Sequence, residues 1–542
     1  MSERADLRWG TIPALAFEVA ARLGDREAIV DGDERITWTE LGTACRRAAQ
    51  GFVAAGVQPG DRVAIWVPNC WEWVAAVIGL QAAGGVLVPL NTRYKGTEAA
   101  WILERSRAVA LVTVNGFLGN DYVAKLREAS GGEGDALPVA GLPDLRTVVV
   151  LRSEGEPPPG TVGWDAFLAV GDEGDPAEVD RRLADLEPGD VSDMLFTSGT
   201  TGKPKGVLCT HEQVLRTVQA WADTVGLRAD DRYLAVNPFF HSFGYKAGIV
   251  ACLISGATLV PLAVFDVPAI MALAAKEHVT ALPGPPTVYQ TMMNHPDFER
   301  SEVASLRLAV TGAAAIPVEL IHRMRDTIGF DTVVTAYGLT EACGFATICQ
   351  PDDPAEIIAT TSGRAMPGIE VLVVDDAGAE VPRGEAGEVV VRGYNVMLGY
   401  FEDPEQTEEA IDADGWLHTG DIGVMDAAGN LRITDRKKDM FISGGFNAYP
   451  AEIENLLLAH PDLAQVAVVG VPDDRVGEVG VAFVVPTTGH TVDPDEVKAW
   501  ARTQMANFKA PTAVHVVDAL PFNAGGKVLK YELRERLAEG TA

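Results

Sequence analysis

A seven-residue phrase that occurs twice limits the folds that this chain can adopt. Residues 84–90 read GGVLVPL and residues 256–262 read GATLVPL, so five of the seven positions match. Each copy follows an uncharged apolar run with the length of a helix, and each ends in the Val/Leu-rich pattern of a buried strand. The repeat predicts two similar βαβ units, and therefore two packed layers of parallel sheet. Chance similarity of two apolar stretches is the alternative.

The length of the chain and its changes of pattern predict more than one domain. At 542 residues it is too long for one ordinary core. Between about residues 360 and 435 short strand-like stretches alternate with turns, which predicts a β-rich subdomain. After a charge cluster at 436–439, helices and strands form a unit of usual domain size. The predicted fold class is α/β: a large N-terminal domain of two βαβ-type parallel-sheet layers plus a β-rich subdomain, then a small α+β C-terminal domain.

The charge and the cysteine content of the chain restrict its expected binding partners and its expected cellular compartment. The chain has 44 Lys and Arg against 76 Asp and Glu, a formal net charge of −32, which disfavours nucleic acid and anionic membranes as partners. Six cysteines without a C-x-x-C pair are typical of free thiols in a reducing cytosol.

The charged N-terminus is no signal peptide. The uncharged runs at 73–90 and 247–265 are interrupted by Gly and Pro, so buried helix–strand pairs are favoured over membrane spans. The expected location is the cytoplasm.

One stretch has the chemistry of a loop that holds a polyphosphate. It consists of ten residues: Thr197, Ser198, Gly199, Thr200, Thr201, Gly202, Lys203, Pro204, Lys205 and Gly206. Glycines allow the backbone to approach a ligand, hydroxyls and successive N–H groups bind phosphate oxygens, and the lysines add positive charge. The stretch does not fit the Walker A pattern. Taken alone it is equally compatible with a surface turn.

Four further motifs follow this loop, and together the five resemble a known superfamily. They are YGLTE at 337–341, GWLHTGD at 415–421, DRKKD at 435–439 and GGK at 525–527. In this order they resemble the adenylate-forming superfamily of acyl-CoA synthetases, peptide-synthetase adenylation domains and luciferases. The resemblance covers nearly the whole chain.

The resemblance implies a two-step reaction with ATP, Mg²⁺ and coenzyme A. A carboxylate attacks the α-phosphate of ATP to give acyl-adenylate and pyrophosphate, and a thiol then displaces AMP to give a thioester. It also implies an adenylation domain with the ATP and acyl pockets at residues 1–435, a hinge at 436–439 that includes Lys438, and a mobile C-terminal domain at 440–542.

The resemblance also assigns roles to the residues of the first step. Lys527 would bridge the attacking carboxylate and the α-phosphate, where a cation offsets the meeting of two anions. Glu341 would be the Mg²⁺ ligand, since Mg²⁺ prefers carboxylate and phosphate oxygens. A solvated surface lysine and a helix-starting Thr-Glu pair are the ordinary alternatives.

The remaining implied contacts are to the nucleotide and to the pantetheine arm. Adenine would lie against Tyr337 in a flat slot formed by Gly312, Ala313 and Ala314. Gly338 and Thr340 would also belong to the nucleotide site, with Thr340 beside Glu341. The ribose hydroxyls would bond to Asp421, a carboxylate that can accept from both, and Arg436 would touch the ribose or a phosphate. Pantetheine would pass Gly444 and Gly445, where glycine permits close approach.

The segment at 237–246, NPFFHSFGYK, carries information about the acid. It contains no aspartate to pair with an α-ammonium group, so an acid without an α-amino group is favoured. His241 fits the P-x-F-H pattern of acyl- and aryl-CoA synthetases and would line the acyl channel as a catalytic-site residue; a core histidine is the alternative. Lys246 would either extend to solvent or donate to a polar group of the substrate.

Within the superfamily, residues 237–248, 91–94 and 283–290 look most like actinobacterial CoA ligases of sterol breakdown. Those enzymes act on a bicyclic indane-dione propanoate. Two other functions stay open: a fatty or aryl acid adenylating enzyme that transfers its acyl group to a carrier-protein thiol, and a non-catalytic nucleotide-binding relative. A homodimer is also left open.

Overall fold

The computed structural model describes residues 4–131, 141–152, 155–197, 204–312, 316–437, 439–443, 446–473, 475–505, 507–522 and 528–540. The chain forms two compact units. Unit 1 comprises Met1–Val371 and Val391–Leu417, and unit 2 comprises Leu372–Val390 and His418–Ala542.

The strands, in chain order, are β1 (Glu27–Asp31), β2 (Glu34–Thr37), β3 (Arg62–Trp66), β4 (Val86–Pro89), β5 (Ala110–Val114), β6 (Thr147–Leu151), β7 (Val162–Gly163), β8 (Val191–Thr197), β9 (Lys205–Thr210), β10 (Arg232–Ala235), β11 (Thr258–Pro261), β12 (Leu308–Thr311), β13 (Thr332–Tyr337), β14 (Thr347–Ile348), β15 (Arg364–Ala365), β16 (Ile369–Val374), β17 (Ala386–Gly393), β18 (Gly399–Tyr400), β19 (Leu417–Met425), β20 (Leu431–Arg436), β21 (Phe441–Ser443), β22 (Phe446–Ala448), β23 (Leu463–Asp473), β24 (Gly477–Pro486) and β25 (Ala513–Val516).

The α-helices are α1 (Ala5–Arg8), α2 (Ile12–Leu23), α3 (Trp38–Ala54), α4 (Trp71–Ala82), α5 (Gly96–Ser106), α6 (Tyr122–Ala129), α7 (Trp164–Asp172), α8 (Pro176–Asp185), α9 (His211–Val225), α10 (Ala251–Ser255), α11 (Val267–Glu277), α12 (Pro286–Asn294), α13 (Val318–Arg323), α14 (Ala355–Thr360), α15 (Pro404–Ala410), α16 (Pro450–Leu457), α17 (Pro494–Gln504) and α18 (Lys530–Glu539). Phe243–Val250 and Met324–Ile328 are π-helical, and Phe117–Gly119 and Thr340–Ala342 are 3₁₀-helical.

Two sheets form the body of unit 1. One has the strand order β18-β9-β8-β4-β3-β5-β6-β7. The other runs β2-β1-β11-β10 and continues through bridges at Ala281 to β12, β13, β14 and β15. The first uncharged run of the sequence is buried here, since every residue of α4 except Trp71 is buried. The second run is buried over 247–253 and 256–261 and ends in exposed residues at 263–265. Within the described part of the chain, no helix is long and apolar enough to cross a membrane.

The two copies of the repeated phrase occupy equivalent places in the two sheets. In the first sheet β3 pairs in parallel with β4 after α4, with Arg62 opposite Val86. In the second sheet β10 pairs in parallel with β11 after a π-helix and α10, with Arg232 opposite Thr258. Both are βαβ units, so the prediction of two parallel-sheet layers from the repeat is confirmed.

Unit 2 contains two smaller sheets. One has the order β16-β17-β19-β20, and the other has the order β22-β21-β24-β23 with β25 parallel to β24. Alternate residues of β23 and β24 face opposite sides: Val468 and Val484 contact the α16–α17 cluster, whereas Val469 and Phe483 contact the cluster of α18. Because both faces are covered, these strands are nearly continuous apolar runs. The predicted β-rich subdomain and α+β C-terminal fold are confirmed.

The division into units falls elsewhere than the predicted boundary at residue 435. Residues 372–390 and 418–435 belong to unit 2 together with the C-terminal sheet. The hinge at 436–439 and the mobility of 440–542 stay predictions.

We expect Gly79→Ala in α4 to destabilise unit 1. A Cβ atom at Gly79 would lie 2.5 Å from the Ala48 Cβ, 2.7 Å from the Cys45 carbonyl oxygen and 2.8 Å from the Ala49 nitrogen of α3. Overpacking of this kind costs about 1–3 kcal/mol. Thermal unfolding followed by circular dichroism should therefore begin several degrees lower, by roughly 2–4 °C per kcal/mol. Gly189→Ala is the control, because no heavy atom of the described chain lies within 4 Å of that Cβ. Equal melting of the two variants would contradict the packing argument.

Candidate active site

The predicted phosphate loop lies between two strands that pair with each other. Strand β8 ends at Thr197 and β9 begins at Lys205, and these two residues are opposite each other in an antiparallel ladder. On its other side β8 pairs in parallel with β4. The strand that leads into the loop is therefore held from both sides. Ser198, Gly199, Thr200 and Thr201 lie outside the described residues.

A tight turn places Glu341. Strand β13 ends at Tyr337, and Gly338 passes so close to the Gly344 carbonyl oxygen that a Cβ would lie 2.1 Å from it. The 3₁₀-helix Thr340–Ala342 follows, and Cys343 closes the turn with a left-handed φ of 55°. The glycine at 338 is thus required by the close backbone approach.

Tyr400 joins the Glu341 turn to the base of the phosphate loop. Its hydroxyl donates to Glu341 Oε1 at 3.1 Å, and Lys205 Nζ lies 4.8 Å from its ring centroid. Lys205 also donates to Gln406 Oε1. Burial, together with the neighbouring Glu341 carboxylate, raises the pKa of Tyr400, so the phenol stays protonated and acts as a donor. The structure thus brings together Lys205 and Glu341, which the motifs predicted separately.

Residues 395–400 support the same turn at two further points. The buried Asn395 side chain donates to the carbonyl oxygens of Phe345 at 2.7 Å and Ala342 at 3.4 Å. The Met397 backbone N–H donates to the Glu341 carbonyl oxygen at 2.9 Å. The sequence analysis missed Asn395 and Tyr400. The one available signal was an Asn within a largely apolar stretch.

The predicted adenine residues lie at the ends of neighbouring parallel strands. Strands β12 and β13 pair with Thr311 opposite Thr335, so Gly312 and Tyr337 follow the same edge of the sheet. The carboxyl edge of parallel strands is the usual place for a nucleotide. The buried Thr311 Oγ1 has no hydrogen-bond partner among the described residues. Ala313 and Ala314 are outside them.

His241 is exposed in the turn between β10 and the π-helix Phe243–Val250. Its Nδ1 accepts a hydrogen bond from the Phe243 backbone N–H at 3.2 Å. This contact requires a deprotonated Nδ1, so the neutral ring carries its proton on Nε2. The alternative that His241 is a core histidine is wrong, because the side chain is exposed.

The structure corrects the expectation for Lys246. The side chain does not extend to solvent: it is completely buried, and its Nζ lies 3.2 Å from Asp193 Oδ1. Nζ also donates to Cys343 Sγ at 3.4 Å. The ammonium group is therefore already occupied by protein partners.

In unit 2, Asp421 and Arg436 form an ion pair. Arg436 Nε lies 2.7 Å from Asp421 Oδ1, and the carboxylate is buried whereas the guanidinium is partly exposed. These two predicted ribose contacts face each other from adjacent strands β19 and β20. Lys438, Gly444, Gly445 and Lys527 lie outside the described residues.

A second carboxylate, Asp435, fixes the end of β20 to α16. Its Oδ2 accepts from the Ala451 backbone N–H at 2.7 Å, and its Oδ1 accepts from the Arg436 backbone N–H at 2.7 Å. Burial raises the pKa of Asp435 to about 6, although these two donors and the Lys530 ammonium oppose the shift. Glu454, which pairs with Lys530 at 2.8 Å, adds a further negative charge nearby.

Glu341 is a suitable oxygen ligand for a hard cation. No cluster of three or more His, Cys, Asp or Glu that would hold a metal occurs among the described residues. Mg²⁺ typically uses one or two carboxylates together with substrate phosphates, so a single carboxylate such as Glu341 has the chemistry that this ion requires.

Two family models match the chain. The AMP-binding enzyme model matches residues 16–401, and the AMP-binding enzyme C-terminal domain model matches residues 452–527. The chain therefore belongs to the AMP-binding enzyme family. The resemblance to acyl-CoA synthetases that the five motifs indicated is confirmed at this level.

Two relatives share the name 3-[(3aS,4S,7aS)-7a-methyl-1,5-dioxo-octahydro-1H-inden-4-yl]propanoyl:CoA ligase. The one from Rhodococcus jostii (strain RHA1) is 49% identical over 527 residues, which cover 97% of this chain and 98% of that protein. The one from Mycobacterium tuberculosis (strain ATCC 25618 / H37Rv) is 50% identical over 530 residues, which cover 98% and 99%. ATP-bound MatB from Rhodopseudomonas palustris is 30% identical, with a TM-score of 0.83 over 97% of this chain and 100% of that chain.

Asp435 should make unit 2 less stable as the pH rises from about 4 to 7. Its pKa is raised from 3.8 to about 6 in the folded state, so in this window the folded protein holds the proton more tightly than the unfolded chain. The stabilisation that protonated Asp435 contributes is complete below the pKa of this group in the unfolded chain. It is lost as the pH rises through its pKa in the folded protein. We expect the melting temperature of the wild type, relative to Asp435→Asn, to fall across this window.

Asp426→Asn is the matched control in the same unit. Burial there raises the pKa, but hydrogen bonds from Asn430 and from backbone N–H groups outweigh it and lower the pKa of Asp426. The wild type should therefore lose stability relative to this variant as the pH falls. A pH-independent difference for Asp435→Asn would contradict the assignment.

Proposed function

We propose that the protein is an ATP-dependent ligase that joins a bicyclic, sterol-derived propanoate to coenzyme A. The observation that carries the proposal is the 49% and 50% identity to two ligases named for that acyl group, each aligned over nearly its whole length. The reaction is carboxylic acid and ATP to acyl-adenylate and pyrophosphate, then coenzyme A to acyl-CoA and AMP.

In the first step two anions must meet, so the site has to supply positive charge. An oxygen of the acid attacks the α-phosphorus, and the bond to the bridging oxygen of pyrophosphate breaks. Lys527 offsets the charge at the attacking oxygen and the α-phosphate. The loop Thr197–Thr201 and Lys205 hold the leaving phosphates. Glu341 holds Mg²⁺, which neutralises phosphate charge when bound.

The nucleotide is oriented by the remaining predicted residues. Adenine stacks against Tyr337 in the slot formed by Gly312, Ala313 and Ala314. Gly338 belongs to the same nucleotide site, and Thr340 stands beside Glu341. Asp421 accepts hydrogen bonds from the ribose hydroxyls. Supporting this role, the Asp421 carboxylate is already held in place by Arg436.

In the second step the thiol of coenzyme A attacks the acyl carbon and AMP leaves. Gly444 and Gly445 let pantetheine pass close to the backbone. Rotation about the hinge at 436–439, at Lys438, exchanges the C-terminal residues of the two steps.

The acid carries no α-amino group. The segment at 237–246 has no carboxylate, and the buried Asp193 beside it is already paired with Lys246. An α-ammonium group would therefore lose its hydration without gaining a partner. His241, exposed in the middle of this segment, lines the acyl channel.

The protein works in the cytoplasm on a small-molecule acid. Each of the six cysteines is a free, buried thiol, which suits a reducing compartment. A homodimer is the simplest assembly.

The decisive experiment measures pyrophosphate release with ATP, Mg²⁺ and a panel of acids, with and without coenzyme A. We expect turnover with the bicyclic indane-dione propanoate and little with amino acids. Lys527→Ala should lower the rate about 100- to 1,000-fold, the cost of removing one charge-stabilising donor.

Three outcomes would contradict the proposal. Preference for straight-chain acids would exclude the bicyclic substrate. Pyrophosphate release that does not depend on coenzyme A would favour a carrier-protein thiol as acceptor. ATP binding without pyrophosphate release from any acid would favour a non-catalytic relative.

Tyr400→Phe should weaken the use of Mg²⁺. It removes the donor to Glu341 Oε1 but keeps the ring beneath Lys205. Loss of a partner that orients a metal ligand typically costs about 10- to 100-fold in metal affinity or activity. We expect a higher Mg²⁺ requirement for activity and weaker MgATP binding in calorimetry, with metal-free ATP binding unchanged.

Tyr122→Phe is the control for this substitution. It also removes one phenolic hydrogen bond in unit 1, to the Thr92 carbonyl oxygen at 3.0 Å. An equal Mg²⁺ requirement in both variants would show that the Tyr400 hydroxyl does not act through Glu341.

A further inference from the structure

A charged pair lies completely buried between the acyl segment and the strand of the phosphate loop. Lys246 belongs to the π-helix Phe243–Val250 and Asp193 to β8, and the side chains of both are 0% exposed. Their charged atoms are 3.2 Å apart. Asp193 Oδ1 has no hydrogen bond from any other described group, so the Lys246 ammonium is what compensates it.

Stability alone does not explain such a pair. Removing two charges from water costs several kcal/mol per ion, and apolar replacements of similar volume are often neutral or stabilising. The best-attested use of a buried polar or charged group is to fix one arrangement of the segments that carry it. Three segments surround this pair: strand β8, the π-helix Phe243–Val250 and the turn that carries Glu341. All three belong to the proposed site.

The pair is the centre of a wider set of contacts. The Ser192 hydroxyl donates to Asp193 Oδ2 at 2.7 Å. Gln81 donates from Nε2 to the Ser192 carbonyl oxygen at 3.0 Å and to the Tyr245 hydroxyl at 2.8 Å. Lys246 donates to the sulfur of Cys343, two residues after Glu341. Strand β8, the π-helix and the Glu341 turn are thus connected through polar contacts in the core.

Strand β8 and the π-helix differ in the contacts that would keep them in place without the ion pair. Strand β8 has a ladder on each side, to β4 and to β9. The π-helix pairs with no strand, and π-helical turns are uncommon and concentrated at functional sites. Loss of the ion pair should therefore shift the π-helix and leave β8 in place.

We propose that Lys246 and Asp193 are positioning residues that fix the acyl-pocket segment relative to the phosphate loop. This inference deepens the proposed function and rests on it. The pair sets the distance between the acid and the α-phosphate, and a displacement of about 1 Å can cost about 100-fold in rate. Lys246 acts through the π-helix and does not touch the acid.

The test compares Lys246→Met, Asp193→Asn and the double variant. Lys246→Met leaves an uncompensated buried carboxylate and should melt lowest, whereas the double variant should recover part of the melting temperature. In the double variant we expect the KM for the acid to rise at least about 10-fold, with kcat lowered and the KM for ATP within about twofold of wild type. Hydrogen–deuterium exchange should accelerate in residues 243–250 and stay unchanged in residues 191–197.

The matched control removes another pair with a buried carboxylate in unit 1. Arg307 contacts Asp231, whose side chain is 1% exposed, and the hydrogen bonds of this pair within the described part of the chain do not involve the π-helix. The double variant Arg307→Met with Asp231→Asn should leave the KM for the acid unchanged. If the Lys246–Asp193 double variant does not fold, Asp193→Glu keeps both charges but lengthens one side chain, and it should raise the KM for the acid selectively.

Three results would overturn the inference. One is unchanged exchange in residues 243–250. Another is an equal change in the KM values for acid and ATP, which indicates a general structural effect. The third is a loss confined to the diketone acid and absent for an analogue without ring ketones, which would mean that Lys246 contacts the substrate. Failure of the proposed function can be distinguished from failure of this inference. In the first case the wild-type protein would release no pyrophosphate, whereas the hydrogen–deuterium exchange of residues 243–250 would still test the role of the ion pair.

Discussion

Hydrogen bonding on both sides of β8 is the constraint on which the site depends. A polyphosphate loop is effective only if its N–H and hydroxyl groups are aimed before the ligand arrives. Here β8 pairs in parallel with β4 at Asp193, and the antiparallel ladder to β9 holds the strand up to Thr197. Strand β18 then extends the ladder from β9 and brings Tyr400 to Glu341. The sheet that leads into the proposed phosphate loop is thus joined to the proposed metal ligand by one side-chain hydrogen bond.

The overall acidity of the chain makes local arrangements of charge important. With a net charge of −32, the protein's long-range field opposes an anionic nucleotide. Attraction must come from individual groups such as Lys205, which is kept near the loop by the Tyr400 ring and Gln406. In the core, the opposite charges of Lys246 and Asp193 cancel, so this pair adds no net charge near the proposed phosphate loop.

The fold was largely predictable because its signals are local in sequence. The repeated phrase identified both βαβ units, and the β-rich stretch expected between about residues 360 and 435 contains the four strands of the sheet β16-β17-β19-β20. The contacts that build the site were not predictable, because their partners are distant in sequence. Tyr400 reaches Glu341 across 59 residues, and Gln81 reaches Tyr245 across 164. No periodicity encodes such pairs, and this is why neither alternative for Lys246, extension to solvent or donation to the substrate, included the buried ion pair with Asp193.

The burial of every cysteine has a consequence for the chemistry of thiols. Cys45, Cys70, Cys209, Cys252, Cys343 and Cys349 are all free and buried. Thiol–disulfide exchange needs a thiolate that can reach the disulfide sulfur, and none of these side chains is accessible in the folded chain. An enzyme that works among pantetheine thiols and their oxidised forms is thereby protected from mixed disulfides. A mixed disulfide between one of these cysteines and such a compound could form only after local unfolding had exposed the thiol.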